Sequence, residues 1–165
     1  MKNNLSNDKY IIMRADWRWF FVAEREFKFR GLKTFQIFSG DTKSVWIYGF
    51  FLKRGTYGDP GPQAHIFVYE NGYEGYRVDA KTIGQFTGYF DCNEKEIYED
   101  DVLEHADGER GLVIYRDGAF WMESAEGTSM GMLADFMRKK AEIKGNRFEH
   151  PELLSRDQDH ETHGA

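Results

Sequence analysis

A mainly β fold (β-rich α+β) of antiparallel sheets built from hairpins, with one or two short helices near the C-terminus, is predicted by three observations. Short runs rich in β-branched and aromatic residues recur along the 165 residues, and such side chains suit a pleated, half-buried surface. Seventeen glycines against three prolines point to many tight turns rather than to a disordered linker. The best helical period falls in a single stretch, 128–141.

The elements follow in order. In Lys9 to Val22 a helix would place Ile12, Asp16 and Trp19 on one stripe. A strand alternates Trp17, Trp19 and Phe21 with Arg18, Phe20 and Val22; it fits somewhat better, and the choice stays open. Glu26 to Arg30 alternates Phe27 and Phe29 with Lys28 and Arg30, a half-buried strand that Gly31 ends. Ser44 to Leu52 reads as a central strand, with Gly49 marking a bulge or a close backbone approach. Arg54 to Pro62 is a glycine- and proline-rich loop. His65 to Tyr69 is a strand, Asn71-Gly72 a turn, and Tyr76 to Val78 opens the return strand.

Thr82 to Phe90 is β-like, Asp91 to Lys95 turns the chain, and Glu96 to His105 follows with Ile97, Val102 and Leu103 as anchors. Gly111 to Met122 is the clearest hairpin, because Asp117-Gly118 suits a type I′ turn, with positive φ at both central residues. Val113 and Trp121 are expected in its core. From Thr128 to Ala141 the spacing predicts a helix carrying Met130, Leu133, Ala134, Met137 and Ala141 on one stripe. Thr128 or Ser129 would cap it, and Arg138, Lys139 and Lys140 would sit at its C-terminus. Arg147 and Phe148 suggest a last short strand. Pro151 to Leu154 is one helical turn with proline first, and residues 155–165 read as a polar, disordered tail.

Composition excludes several classes. Apolar residues are 41% of the chain and aromatic residues 16%, enough for a core filled by large flat side chains. No apolar run approaches the ~20 residues of a membrane-spanning helix, and the N-terminus lacks a secretory signal. The expected location is therefore cytoplasmic, with no membrane partner. A lone cysteine, Cys92, forms neither an internal disulfide nor a cysteine-based zinc site. A net charge of −6 argues against coating nucleic acid non-specifically, which depends on counterions released by Lys and Arg. Charge is also uneven. Residues 1–33 hold eight Lys/Arg against four Asp/Glu, and residues 78–110 hold ten acids against three bases. Faces of opposite sign could meet within or between subunits; a solvated surface is the simpler expectation.

No catalytic, cofactor or metal constellation emerges. The acids Glu94, Glu96, Glu99, Asp100, Asp101 and Glu104 lack the ordered offsets of a calcium loop, and a solvated turn and strand is expected there. His160 and His163 lie in the polar tail without a third ligand. His65 and His105 are expected on the surface; either beside Asp100 or Asp101 would make an acid–base pair conceivable. Cys92 sits among acids, which disfavours a thiolate. The best binding candidate is basic and aromatic: Arg14, Trp17, Arg18, Trp19, Arg25, Lys28 and Arg30. Such residues stack bases and contact phosphates, but buried packing or a protein interface explains them more simply.

Several motifs occur together in sequence. Phe27-Lys28-Phe29-Arg30-Gly31, Val45-Trp46-Ile47-Tyr48-Gly49 and Thr82-Ile83-Gly84-Gln85-Phe86-Thr87-Gly88 are followed by Lys95-Glu96-Ile97-Tyr98-Glu99-Asp100-Asp101-Val102. The Asp117-Gly118 hairpin and Glu149-His150-Pro151-Glu152-Leu153-Leu154 complete the set. In order and spacing over residues 25–154 they resemble the YopX family of phage and prophage proteins. Asp100 stands where that family commonly has glycine, which predicts a less sharp turn, and His150 replaces an asparagine. Residues 1–24 form an extension outside the resemblance. The resemblance implies a phage or prophage origin, irregular coiled sheets and homo-oligomers, and supplies no catalytic residues. The resulting expectation is a non-enzymatic accessory protein without cofactors, acting by self-assembly or protein binding. Nucleic-acid binding through the basic-aromatic residues is the alternative, and an enzyme around His65, His105 and Asp101 a third reading.

Overall fold

A computed structural model describes residues 12–15, 18–21, 27–54, 63–68 and 74–155. The predicted loop at 55–62, the Asn71-Gly72 turn, Trp17, Arg25, His160 and His163 lie outside the described residues. The strands are β1 (Ile12–Ala15), β2 (Arg18–Phe21), β3 (Phe29–Gln36), β4 (Thr42–Arg54), β5 (Gln63–Val68), β6 (Glu74–Arg77), β7 (Gly84–Phe90), β8 (Glu96–Tyr98), β9 (Asp101–His105), β10 (Arg110–Arg116), β11 (Ala119–Glu123), β12 (Ser129–Met132) and β13 (Ala141–Asn146). One short helix, α1 (Leu133–Phe136), and 3-10 turns at Ala80–Thr82 and Pro151–Leu154 complete the described elements. The fold is mainly β, as predicted.

β1 and β2 pair with each other. The other strands form a six-stranded sheet in the order β6-β5-β4-β3-β7-β8 and a five-stranded sheet in the order β12-β11-β10-β9-β13. Every pairing is antiparallel. Register shifts interrupt β7/β8, β11/β12 and β9/β13, so both large sheets are irregular. β4 is central, as its β-branched and aromatic run predicts.

β3 begins at Phe29 and continues through Gly31, so Gly31 does not end it. Its glycine is needed for packing: a Cβ there would lie 2.8 Å from Val78 Cγ2. Alternation along β4 divides its residues between two faces. Ile47 and Phe51 pack with Phe29 and Ile83 against the buried Ala64, Ile66 and Val78, the core of the six-stranded sheet. Tyr48, Phe50 and Leu52 take the other face and remain exposed. A second core of Leu103, Val113, Met122, Leu133, Phe136 and Ala141 lies against the five-stranded sheet, and Ile97 of β8 joins it from the other sheet. Met122 fills it rather than Trp121. Trp121 is half-buried, donates from Nε1 to the Arg116 carbonyl and lies beneath the Arg116 guanidinium.

The predicted helix over 128–141 is the largest difference. Only Leu133–Phe136 is helical; Ser129–Met132 is β12 and Ala141 starts β13. Gly131 has φ +110°, off the helical range, and β12 satisfies its backbone on β11. Of the predicted stripe, Ala134 is exposed, and Phe136 is buried instead. The strand expected at Arg147 and Phe148 is a turn. Asn146 Oδ1 accepts from the backbone N–H groups of Phe148 and Glu149 there, which draws the chain out of the sheet.

Glu96 to His105 is two strands in two different sheets. β8 belongs to the six-stranded sheet and β9 to the five-stranded one. Glu99 and Asp100 make the corner, with Asp100 at φ +70°. The turn is therefore fully formed although glycine is absent; Asp tolerates the left-handed region better than most residues. The corner is stitched from both sides: Glu99 N–H donates to Gln85 O, and Asp100 N–H to Val113 O. Asp117 and Gly118 have φ +53° and +80°, as a type I′ turn requires.

Gly49 gives a direct test of this geometry, since a Cβ there would sit 2.0 Å from the Phe67 carbonyl oxygen. Gly49→Ala should lower unfolding stability by roughly 3 kcal/mol, the upper end of overpacking costs. Gly40→Ala meets nothing within 4 Å and should cost only the ~1 kcal/mol of a left-handed alanine. Urea denaturation of the two variants measures the difference.

Candidate functional site

The two large sheets meet around Arg30. Its Nη2 donates to Asp101 Oδ1 at 2.7 Å and to the Glu99 carbonyl at 3.0 Å. Its guanidinium lies 4.7 Å from the Trp46 ring centroid and 5.1 Å from that of Tyr98, close enough for cation–π attraction. Asp101 Oδ2 accepts from Tyr98 N–H at 2.8 Å. Both side chains of the pair are buried, at 7% and 2% exposure. Burial raises the Asp101 pKa above the ordinary carboxylate value, and Arg30 opposes that shift. β3 carries Arg30 and β9 carries Asp101, so the pair joins the two sheets.

A second ion pair lies nearby, on the six-stranded sheet. Lys28 Nζ contacts both Glu96 carboxylate oxygens at 2.7 Å, and Tyr98 Oη donates to Glu96 Oε2 at 2.7 Å. Burial works to raise the Glu96 pKa, but those two donors outweigh it and the net shift is downward. Asp91 likewise lies below the ordinary value. Burial pushes it up, and the backbone N–H groups of Lys95, Ile143 and Asn93 more than compensate. Because Ile143 is on β13, Asp91 ties the β7–β8 turn to the five-stranded sheet, beside a Cys92 N–H bond to the Ala141 carbonyl.

Between these contacts opens a cleft of about 180 Å³ lined by Arg30, Trp46, Tyr48, Lys95, Asp101 and residues of the segment 143–150. On its rim Glu149 Oε2 accepts from Trp46 Nε1 at 2.8 Å and Asn146 Nδ2 at 2.7 Å. The Trp46 bond holds Glu149 below its ordinary pKa, against burial. Burial raises the Tyr48 pKa, so its hydroxyl keeps its proton.

The expected sites are redistributed. Arg30 and Lys28 are engaged in intramolecular ion pairs, and Arg30 is interior. Arg14, Arg18 and Trp19 fall on β1 and β2; their side chains, with Trp17 and Arg25, are outside the description. The acidic run is not a solvated surface. Glu96, Asp100, Asp101 and Glu104 pair with Lys28, Arg147, Arg30 and Arg110, and both aspartates are buried. The charge asymmetry is thus spent partly within one subunit. His105 is buried rather than superficial: it stacks on Phe136 at 3.7 Å, with Nε2 2.9 Å from the Phe136 carbonyl and Nδ1 3.2 Å from Glu109. The nearest approach to a metal cluster among the described residues is His105, Asp107 and Glu109, with ligand atoms within 4.8 Å. Lys139 Nζ already neutralises both acids there, at 3.3 and 3.7 Å. His65 Nδ1 faces the Gln63 carbonyl. Neither histidine is among the partners of Asp101. Cys92 is exposed in its turn.

Trp46, Glu149 and the Arg30 cleft are what sequence reasoning missed. Trp46 and Glu149 are 103 positions apart, and no local pattern links them.

The family model for YopX protein matches residues 61–155. This chain belongs to the YopX family. Comparison with curated proteins gives no match. The YopX match begins after β4, yet β3 and β4 pair directly with β7 and β5 of the matched region, so in this chain the six-stranded sheet extends beyond the matched residues. Among the described residues no helix is long and apolar enough to cross a membrane.

Removing one member of the buried pair strands the other. Asp101→Ala should cost about 3–5 kcal/mol, and the Arg30→Met/Asp101→Ala double variant distinctly less than the sum of its single variants; a denaturant double-mutant cycle reads the coupling. The lowered Asp91 pKa contributes stability above the unfolded value of ~3.9 that is lost as pH falls through the folded value. Asp91→Asn should therefore be less stable than the parent at pH 7, with the gap closing below about pH 4, as thermal melts across pH would show.

Proposed function

We propose that this protein is a non-enzymatic accessory protein of phage or prophage origin, acting in the host cytoplasm through protein contacts, self-association first among them. The observation that carries the reading is the outer face of β4. Tyr48, Phe50 and Leu52 alternate along the strand and are 42%, 54% and 52% exposed. Phe50 pairs across to Phe67 and Leu52 to His65 on β5, which places a second aromatic pair on the same face. Large apolar side chains gathered on one sheet face suit a protein interface, where aromatic anchors supply most of the binding energy.

A protein partner fits this surface better than a nucleic acid does. Single-strand binders pair aromatic platforms with free cations, whereas Lys28 and Arg30 direct their charge to Glu96 and Asp101. The overall charge of −6 weighs the same way.

Light scattering on the full chain should give a dimer or larger species. The Phe50→Lys/Leu52→Lys variant should run as a monomer that keeps the parent's far-ultraviolet circular dichroism, because neither side chain belongs to a buried core cluster. A monomeric parent that also captures no protein partner would overturn the reading.

A further inference from the structure

We infer that the inter-sheet cleft beside Arg30 is a binding site for a small oxyanion, a phosphate or carboxylate group, held by Arg30, Lys95 and Tyr48. The inference stands apart from the self-association reading.

The carboxylates on its wall are engaged by donors, Glu149 through Oε2 alone. Asp101 takes Arg30 on one oxygen and the Tyr98 N–H on the other. Glu149 takes Trp46 Nε1 and Asn146 Nδ2. Lys144 is committed to Glu142 at 2.6 Å. The donors, by contrast, are left over. Arg30 Nε is buried and has no hydrogen-bond partner among the described residues. A buried N–H without an acceptor is costly and rare in folded proteins. Two further lining groups, the Lys95 ammonium and the Tyr48 hydroxyl, make no hydrogen bond or ion pair among the described residues, and both residues are exposed enough to reach a ligand from the rim.

The lining holds Arg30, Lys95 and Lys144 against Asp101 and Glu149, three cations against two carboxylates. With the Arg30–Asp101 and Lys144–Glu142 pairs closed internally, one cation and one carboxylate remain; Glu149 Oε2 already holds two donors, and Lys95 is the cation left to meet a ligand. A volume of about 180 Å³ holds roughly six waters at ~30 Å³ each, so it admits a small group rather than an extended ligand. An arginine, a lysine and a tyrosine lining one cleft supply a charge-assisted donor set for oxyanions.

The test is titration of the full chain with inorganic phosphate, and separately with acetate, at constant ionic strength set by chloride, followed by calorimetry and amide shifts. Saturable binding of either anion is expected, with shifts at Arg30, Tyr48 and Lys95. Phosphate alone would identify a phosphate site, and acetate as well a site open to carboxylates. Lys95→Ala should weaken binding about tenfold, the loss of one charge-assisted contact. Tyr48→Phe should weaken it by a smaller factor, and Lys53→Ala, outside the cleft, should leave it unchanged. Lys95 and Tyr48 are exposed, so their variants keep the fold. No saturable response to either anion, or affinity indifferent to Lys95→Ala, would overturn the inference.

Discussion

The buried Arg30–Asp101 pair is the contact on which the arrangement of the two large sheets depends. Neither sheet alone explains its position. Arg30 projects from the centre of the six-stranded sheet, Asp101 begins β9 of the other, and the corner at Glu99 and Asp100 carries the chain between them. The guanidinium also lies against Trp46 and Tyr98. Its charge is thus balanced by a carboxylate, a backbone carbonyl and two aromatic rings. A buried pair of this kind repays its desolvation only when such additional partners are present. The Asp91 turn reinforces the same seam through β13, and Lys28–Glu96 ties the start of β3 to β8 within the six-stranded sheet.

That seam also explains the fate of the acidic segment. Acids that alternate along a strand point to opposite faces, and a solvated surface is the ordinary outcome. Here the strand bends at Asp100 and changes sheets, so successive carboxylates meet different elements. Asp100 turns to Arg147, Asp101 to Arg30 and Glu104 to Arg110. Charges separated in sequence by about seventy positions, such as Lys28 and Glu96, become neighbours.

The two faces of β4 divide the molecule's tasks. One face supplies Ile47 and Phe51 to the core. The other runs from Trp46 and Tyr48, at the cleft between the sheets, to Phe50 and Leu52 on open surface. Tyr48 stands where these regions adjoin, packing edge-on to Tyr98 at 5.5 Å while remaining partly exposed. An exposed aromatic face beside the cleft follows from a single alternating strand whose Trp46 meets Phe148 and Glu149 after β13 while Phe50 and Leu52 stay exposed.

The local rules of the chain determined the β class, the strands β4, β5, β7, β10 and β11, the Asp117-Gly118 turn, the 3-10 turn after Pro151 and the family. Alternation, turn residues and ordered motifs are short-range signals, and they survive folding wherever nothing stronger competes. Tertiary structure decided the rest. It drew Ser129–Met132 into a strand, because Gly131 leaves helical space and β11 offers a ladder. It continued β3 through Gly31, because Val78 needs the room. It split Glu96–His105 between two sheets, buried His105 on Phe136, and joined Trp46 to Glu149. Those outcomes depend on which distant backbone groups and charges arrive within bonding distance, and no periodicity in the chain encodes that meeting.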